Sequence, residues 1–164
     1  IRVLHVDDDA AFAELVANEN LTLRPVDSGA TIDLPSGAVR PFAVPHRDEF
    51  DTGTLGLEFR GERRLVYVPD IYYWDEQTLS RVEAADVAVL DGTFWATEEI
   101  DGQAEVPHPP VRDAVEVLPL AETDVYFTHL NHTNPLFDED SPEYASLVDA
   151  GADVVERGQT FDLG

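Results

Sequence analysis

Three polar side chains follow apolar runs at positions where strands are predicted to end. The runs that end near residues 44, 68 and 128 lead into His46, Asp70 and His129. In layered α/β folds, residues just past the strand ends line the functional crevice. Two imidazoles and a carboxylate at such a place suit a zinc or iron site. We therefore predict these three residues as metal ligands, although a single His or Asp after a strand is more often a surface or turn residue.

The segment that follows the last of these runs is the most specific in the chain. Residues 127–135 read Phe-Thr-His-Leu-Asn-His-Thr-Asn-Pro, with two His and two Asn within six positions. One explanation is a hydrogen-bonded turn in which Asn131 and Asn134 cap backbone groups. That explanation leaves the imidazoles of His129 and His132 without a role. The segment therefore favours chemistry at the end of its strand.

The elements that must position these residues follow from hydrophobic periodicity and turn signals. Hairpins come first and strands alternating with helices follow, which predicts a layered α/β fold with a mixed sheet. Asp75 and Ser141 are predicted N-caps, and Gly151 is predicted to end the last helix. The predicted strands are residues 1–6, β-structure within 24–44, and 54–59, 64–68, 86–90, 124–128, 154–155 and 160–163. The predicted helices are residues 10–17, 75–84, 111–118 and 141–151.

The composition is strongly acidic. The 164 residues include 34 Asp and Glu against ten basic residues, all of them Arg, for a net charge of -24. Such a surface repels nucleic acid and anionic membranes, so neither is expected as a partner. We interpret the charge as adaptation to a salty cytoplasm, with an ordinary acidic protein as the alternative. The chain has no Cys, so a metal site must use His, Asp and Glu.

The length suits one domain, and the sequence shows no membrane span and no secretory signal, which predicts a cytoplasmic protein. The first residue is Ile rather than Met, so the chain is interpreted as a possible fragment and an upstream signal stays open.

Five short segments occur in an order typical of one family. They are Val-Pro-His-Arg at 44–47, Tyr-Val-Pro-Asp at 67–70, Asp-Gly-Thr-Phe-Trp at 91–95, Pro-His-Pro at 107–109, and the segment 129–135. Across residues 24–164 the chain resembles the coenzyme PQQ synthesis protein B branch of the metallo-β-lactamase superfamily. The resemblance implies the C-terminal half of an αββα sandwich, with one or two zinc or iron ions between its sheets.

The same resemblance implies roles for individual residues. His46 corresponds to the third-motif ligand, Asp70 to the bridging carboxylate and His129 to the last histidine ligand. Asp70 and His132 are then the candidate catalytic residues, with His132 next to the ligands. Asp91 either orients a ligand or is a turn and cap residue. His108, between two prolines, is predicted to be a surface or loop-fixing residue.

The implied activity is a step in maturing a quinone cofactor from a peptide precursor, with a small-molecule or peptide-derived substrate. Hydrolysis is the default of the superfamily, and oxygen chemistry is the alternative for this branch. The main ligand motif of the family, His-x-His-x-Asp-His, does not occur in this sequence. We therefore expect an incomplete site, and a partner chain or a homo-oligomer that covers the missing half.

Residues 1–20 resemble a different family. The strand-like segment that ends in Asp7-Asp8-Asp9, followed by a helix, is similar to the start of a response-regulator receiver domain, which binds magnesium through such acids. A receiver domain also needs an essential Lys, and this chain has none. A receiver-like signalling module and an inactive fragment that needs a partner chain are the two alternatives to an enzyme.

Overall fold

The computed structural model describes residues 10–22, 24–46, 53–103 and 106–164. The helices are α1 (Ala10–Ala17), α2 (Glu76–Glu83), α3 (Val111–Ala114) and α4 (Pro142–Ala150), with a 3-10 helix at Pro135–Phe137. The strands are β1 (Ile32–Leu34), β2 (Gly37–Val44), β3 (Thr54–Arg60), β4 (Arg64–Val68), β5 (Val87–Asp91), β6 (Asp124–Thr128) and β7 (Ala152–Val154).

The seven strands form one sheet in which the spatial order equals the order along the chain. β1 to β4 are antiparallel neighbours, and β4 to β7 are parallel neighbours. The sheet is therefore mixed, as the sequence predicted. The parallel half needs crossover connections, and α2 and α4 occupy two of them.

The two faces of the sheet have different covers. One face packs against the helices, because Val66, Val68, Leu90 and Phe127 share a buried cluster with apolar residues of α2, α3 and α4. The opposite face carries a smaller cluster, and no residue of a described helix belongs to it. Its buried members are Leu65, Val87 and Val89, with residues of the C-terminal segment packed on them.

The predicted helix ends are confirmed. The Asp75 carboxylate accepts a hydrogen bond from Thr78 N at 2.9 Å and so caps α2. The Ser141 hydroxyl accepts from Tyr144 N at 3.0 Å at the start of α4. Gly151 ends α4 with φ of 94°, a left-handed conformation that glycine adopts without steric cost.

Three sequence predictions need correction. Regular helix in 111–118 is limited to α3, after which the chain continues as turns. Residues 160–163 were predicted as a strand, but they are irregular. Among the described residues, their one backbone hydrogen bond with the sheet region runs from Arg63 N, directly before β4, to Leu163 O at 3.0 Å. β-structure within 24–44 begins only at Ile32. The predicted strand 1–6 and the acidic turn 7–9 lie outside the described residues, and the predicted helix 10–17 is confirmed as α1.

Among the described residues, no helix has the length and apolar character of a membrane span.

Candidate metal centre

Four strands end at the same edge of the sheet. β2 and β4 are both antiparallel to β3, so they run in one direction, which β5 and β6 share. His46 follows β2, Asp70 follows β4, Asp91 is the last residue of β5, and His129 follows β6. The carboxyl ends of these strands therefore bring together side chains that are up to 83 positions apart, the separation of His46 and His129. His108 joins them from the connection between β5 and α3.

Asp70 Oδ1 is the atom that all three histidines approach. It lies 3.1 Å from His46 Nε2 and 3.9 Å from both His108 Nδ1 and His129 Nδ1. A carboxylate oxygen offers lone pairs in more than one direction, so one oxygen can serve several partners. This position makes Asp70 the geometric centre of the histidine group.

Asp91 is fully buried and has all its acceptor positions in use. Its Oδ1 accepts from Thr93 N at 2.9 Å and from the Thr93 hydroxyl at 2.7 Å. Its Oδ2 accepts from Ile71 N at 2.9 Å and contacts His108 Nδ1 at 2.6 Å. A buried carboxylate is stable only when it is paired in this way, so the network fixes Asp91 and, through Ile71, the chain just after Asp70.

His108 is held almost completely inside the protein, with 8% of its side chain exposed. Burial alone lowers the pKa of this imidazole, but the hydrogen bond from Nδ1 to Asp91 and the charges of Asp91 and Asp70 outweigh burial and raise the pKa above 6.5. Because Nδ1 donates its proton to Asp91, Nε2 has a lone pair when the ring is neutral and a proton when the ring is charged. His108 is therefore suited either to bind a metal or to hold a proton.

His129 is held in an unusual backbone conformation, with φ of 62°. Few residues other than glycine adopt this left-handed region, and such positions occur most often at functional sites. Its Nδ1 lies 3.1 Å from the Thr93 hydroxyl. Because that hydroxyl donates its own proton to Asp91, its oxygen accepts from His129 Nδ1, which leaves the lone pair of His129 on Nε2.

The loop after β6 is anchored to the loop after β5. Asn131 N donates to Thr93 O at 2.9 Å, and Asn134 Nδ2 donates to Gly92 O at 2.8 Å. Asn134 Oδ1 also accepts from Leu136 N at 3.0 Å and so caps the 3-10 helix. Asn134 thus does the capping that the sequence suggested, whereas the side chain of Asn131 contacts the Thr133 and His132 side chains instead. The bonds between the two loops hold His129 beside Asp91.

β5 and β6 approach each other so closely at Gly92 that only glycine fits there. A side-chain carbon at this position would lie 2.9 Å from Phe127 Cβ and 3.0 Å from Thr128 O. Any larger residue would push β5 and β6 apart. The contact therefore sets the spacing between Asp91 and His129.

Glu99 ties the same two loops together farther from the sheet. Its Oε2 accepts from Trp95 N at 2.7 Å, and its Oε1 accepts from the Thr133 hydroxyl at 2.8 Å. Gln103 continues the network, since its side-chain oxygen accepts from Glu99 N at 2.8 Å. The loop after β5 is therefore fixed by hydrogen bonds beside the site.

The donor set fits a transition metal. Asp70, Asp91, His108 and His129 each offer one ligand atom, and these four atoms lie within 4.8 Å of one another. Tetrahedral ligands at about 2.0–2.1 Å from zinc stand roughly 3.3 Å apart, so these atoms are spaced somewhat more widely than the ligands of one ion, and Asp91 is held in place by the four hydrogen bonds that it accepts. Imidazole with carboxylate is a set that zinc and iron share.

The structure places the predicted ligands close together. Asp70 and His129 belong to the group of four, and His46 contacts Asp70 from its side, against the ring of Tyr72 at 4.4 Å between centroids. His132 is exposed, contacts Asn131 Oδ1 at 3.1 Å, and lies outside the group of four. Its catalytic role stays a prediction, as do the ligand roles of the other three.

Sequence reasoning underestimated two residues. The prediction of a surface or loop-fixing role for His108 is wrong in its surface part, because the ring is buried against Asp91. Asp91 caps the turn at Thr93, as one of its two alternatives stated, and it also contacts His108; its orienting of a metal ligand stays a prediction. The available signal was the acid at the end of a fully apolar strand. For His108 only the resemblance of its Pro-His-Pro segment pointed to the family.

Comparison with known proteins adds the following findings. The sequence profile of the beta-lactamase superfamily domain matches residues 3–130. Coenzyme PQQ synthesis protein B from Azotobacter vinelandii is 33% identical over 144 residues, which is 79% of this chain and 48% of that protein. The protein of the same name from Gluconobacter oxydans is 34% identical over 152 residues, covering 79% and 50%. The chain thus spans about half the length of the curated relatives it matches.

Solved structures agree on the fold. Zn(2+)-bound PqqB from Methylobacterium extorquens superposes with a TM-score of 0.70 at 26% identity, over 84% of this chain and 51% of that one. A diphosphatase of the PhnP family gives a TM-score of 0.60 at 18% identity, over 90% and 51%. The profile match begins at residue 3, inside the segment that resembles a receiver domain, and the receiver interpretation itself stays a prediction.

Proposed function

Because the chain belongs to the metallo-β-lactamase superfamily, we propose that it is a metal-dependent, hydrolase-like protein whose metal centre lies where β4, β5 and β6 end. The observation that carries the proposal is the convergence of two carboxylates and two imidazoles, with ligand atoms within 4.8 Å, at the carboxyl ends of parallel strands. Clusters of surface acids are common in a chain of this charge, but this group includes a fully buried Asp91 and a nearly buried His108.

The residues divide into ligands and a positioning network. Asp70 and His129 are the proposed ligands, with His46 beside Asp70 as the third. When bound, a zinc or iron ion would lower the pKa of a coordinated water and so supply a nucleophile near neutral pH. Asp91 accepts from His108 Nδ1 and thereby directs Nε2 as the group that binds metal or holds a proton.

The proposed substrate is a small or peptide-derived molecule, as in a step of quinone cofactor synthesis. Support comes from the similarity to coenzyme PQQ synthesis protein B in sequence and to zinc-bound PqqB in structure. Hydrolysis is the reaction proposed for this chain, because a metal held by these residues would supply an activated water without a further oxidant.

We further propose that a partner chain supplies a second sheet layer over the face that lacks helices. Leu55 on this face is 42% exposed, and the neighbouring Leu57 and Phe59 are only partly covered. Support also comes from the relatives, which are about twice as long as the matched part. Sedimentation of the chain alone tests this: a monomer that binds a hydrophobic dye agrees with a partner chain, whereas a dimer would assign the face to a second copy.

The metal proposal is tested by elemental analysis of the chain purified at high salt. The parent is expected to retain close to one equivalent or more of zinc or iron. The double variant His46→Ala/His129→Ala removes two proposed ligands and should lose it. His132→Ala is the matched control, because it removes an exposed imidazole from the same loop as His129 that contacts Asn131 rather than Asp70, and it should keep the metal.

Equal metal content in the double variant and the control would contradict the proposed ligand set. Absence of metal from every protein, including parent chain incubated with zinc, would contradict a centre formed by this chain on its own.

A further inference from the structure

A cleft at the other end of the strands, where β3 ends and β4 begins, concentrates positive charge in a chain whose net charge is -24. The cleft has a volume of about 380 Å³ and is lined by Arg60, Arg64 and Arg81, with Glu58 as its only acidic residue. Three of the ten basic residues of the whole sequence therefore meet at one place.

Glu58 accounts for only part of this arrangement. Its side chain is 3% exposed, and its Oε1 lies 2.9 Å from Arg60 Nε and 3.3 Å from Arg64 Nε. Its Oε2 accepts from Arg81 at 3.0 Å and from Arg60 NH2 at 3.1 Å. These four contacts fill the acceptor capacity of one carboxylate. Within the lining of this cleft one negative charge thus stands against three positive charges, while Glu62 and Asp86 line an adjoining cleft that shares Arg60 and Arg64.

The surplus charge is placed where it costs stability. Arg60 and Arg64 are direct cross-strand partners in the β3–β4 pair, and like charges in this position repel. The arginines are nonetheless held in fixed positions. Arg64 NH1 donates to Ala84 O at 3.2 Å, and the Arg81 guanidinium stacks over the Phe42 ring at 4.5 Å. Each guanidinium keeps N–H groups that have no acceptor among the described residues.

We propose that this cleft binds a small oxyanion of the size and charge of phosphate. A fixed set of guanidinium groups with free N–H donors is the preferred protein partner of phosphate oxygens. A bound anion would pair with the N–H donors that Glu58 leaves free and relieve the repulsion between Arg60 and Arg64. The cleft is separate from the metal centre: β4 runs between them, and Arg64 and Val68 at its ends are about 13 Å apart at 3.3 Å per residue.

The test is a titration of the full chain with inorganic phosphate, followed by amide chemical shifts at constant ionic strength, with chloride as the exchanged anion. The amides of Gly61 and Ala84, next to the cleft, are expected to shift and saturate. The amide of Gly92, at the metal centre, reports any binding of phosphate there and so keeps the two sites distinct.

Two matched variants decide the assignment. Arg64→Gln removes one donor while Glu58 keeps Arg60 and Arg81, so phosphate should bind about tenfold more weakly, the loss expected for one charge-assisted hydrogen bond. Arg112→Gln removes an exposed arginine of α3 that pairs with Asp113 and should bind phosphate like the parent. If Arg64→Gln does not fold, Arg60→Gln takes its place.

Three results would overturn the proposal. They are shifts at Gly61 and Ala84 that do not saturate, equal affinities in the cleft variant and the Arg112 control, and saturation at Gly92 alone.

Discussion

Asp91→Ala is the substitution that most directly tests the buried network of the metal centre. The change leaves Ile71 N, Thr93 N, the Thr93 hydroxyl and His108 Nδ1 without their acceptor. A buried donor left unpaired costs about 1–3 kcal/mol, so the two amides alone correspond to about 2–6 kcal/mol. Entry of water into the vacated space and the removal of a buried charge offset part of this cost. We expect a loss of about 3 kcal/mol in the free energy of unfolding.

The assay is urea unfolding at high salt with a chelator present, because a bound metal would add its own stabilisation to the parent. The free energy of unfolding of a typical protein is about 5–15 kcal/mol, so a loss of this size is a large part of it. Asp113→Ala is the control, since Asp113 is an exposed acid whose carboxylate, among the described residues, pairs with Arg112 alone at 3.4 Å. The change should alter stability by about 0.5 kcal/mol or less.

Asp91→Asn sharpens the test. The amide oxygen can still accept from Thr93, but its NH2 group would face the Ile71 N–H donor, so an intermediate loss is expected. The reasoning is refuted if Asp91→Ala unfolds within about 1 kcal/mol of the Asp113 control, because four buried donors cannot then depend on this carboxylate.

Three further predictions concern other parts of the fold. Burial raises the pKa of Glu58, but the hydrogen bond with Arg60 and the charges of the three arginines outweigh burial and lower it below 4.5. The stability that ionised Glu58 gains from these arginines is therefore fully present above pH 4.5 and is lost as the pH falls through the lowered pKa. Glu58→Gln should therefore flatten the decline of the free energy of unfolding on the acid side. Gly56→Ala would place its new carbon 2.5 Å from the Phe42 ring and should cost about 1–3 kcal/mol by overpacking; a melting temperature equal to that of the parent would contradict the tight contact. Asn134→Ala removes the acceptor of Leu136 N and the donor to Gly92 O, so it should cost about 1–3 kcal/mol and loosen metal retention, whereas unchanged amide exchange in the 129–136 loop would argue against this anchor.

Local patterns were enough for most of the elements and for placing two candidate ligands at strand ends. Asp75, Ser141 and Gly151 start or end helices where their short-range chemistry predicts, because capping depends on neighbours in the chain. His46 and Asp70 were recognised because a polar residue after an apolar run marks a strand end, and strand ends that run in one direction share an edge.

Other features depend on contacts that no local pattern contains. His108 follows Asp91 by 17 residues, and only the path of the β5–α3 connection brings its ring to within 2.6 Å of the carboxylate. The regular part of the third helix is shorter than its periodicity suggests, since only Val111–Ala114 is regular helix. The predicted strand at 160–163 has apolar residues, but they pack onto the sheet face rather than pairing at its edge.

The sequence by itself determined the composition of this protein's chemistry: acidic, without Cys or Lys, with His, Asp and Glu as its available ligands. It also determined the mixed α/β fold, because periodicity and caps are written in neighbouring residues. Only the tertiary structure decided that Asp91 and His108 lie close to Asp70 and His129 and that three arginines meet around Glu58. The physical reason is that burial and pairing of charged groups are set by distances across the sheet, which sequence separation does not encode.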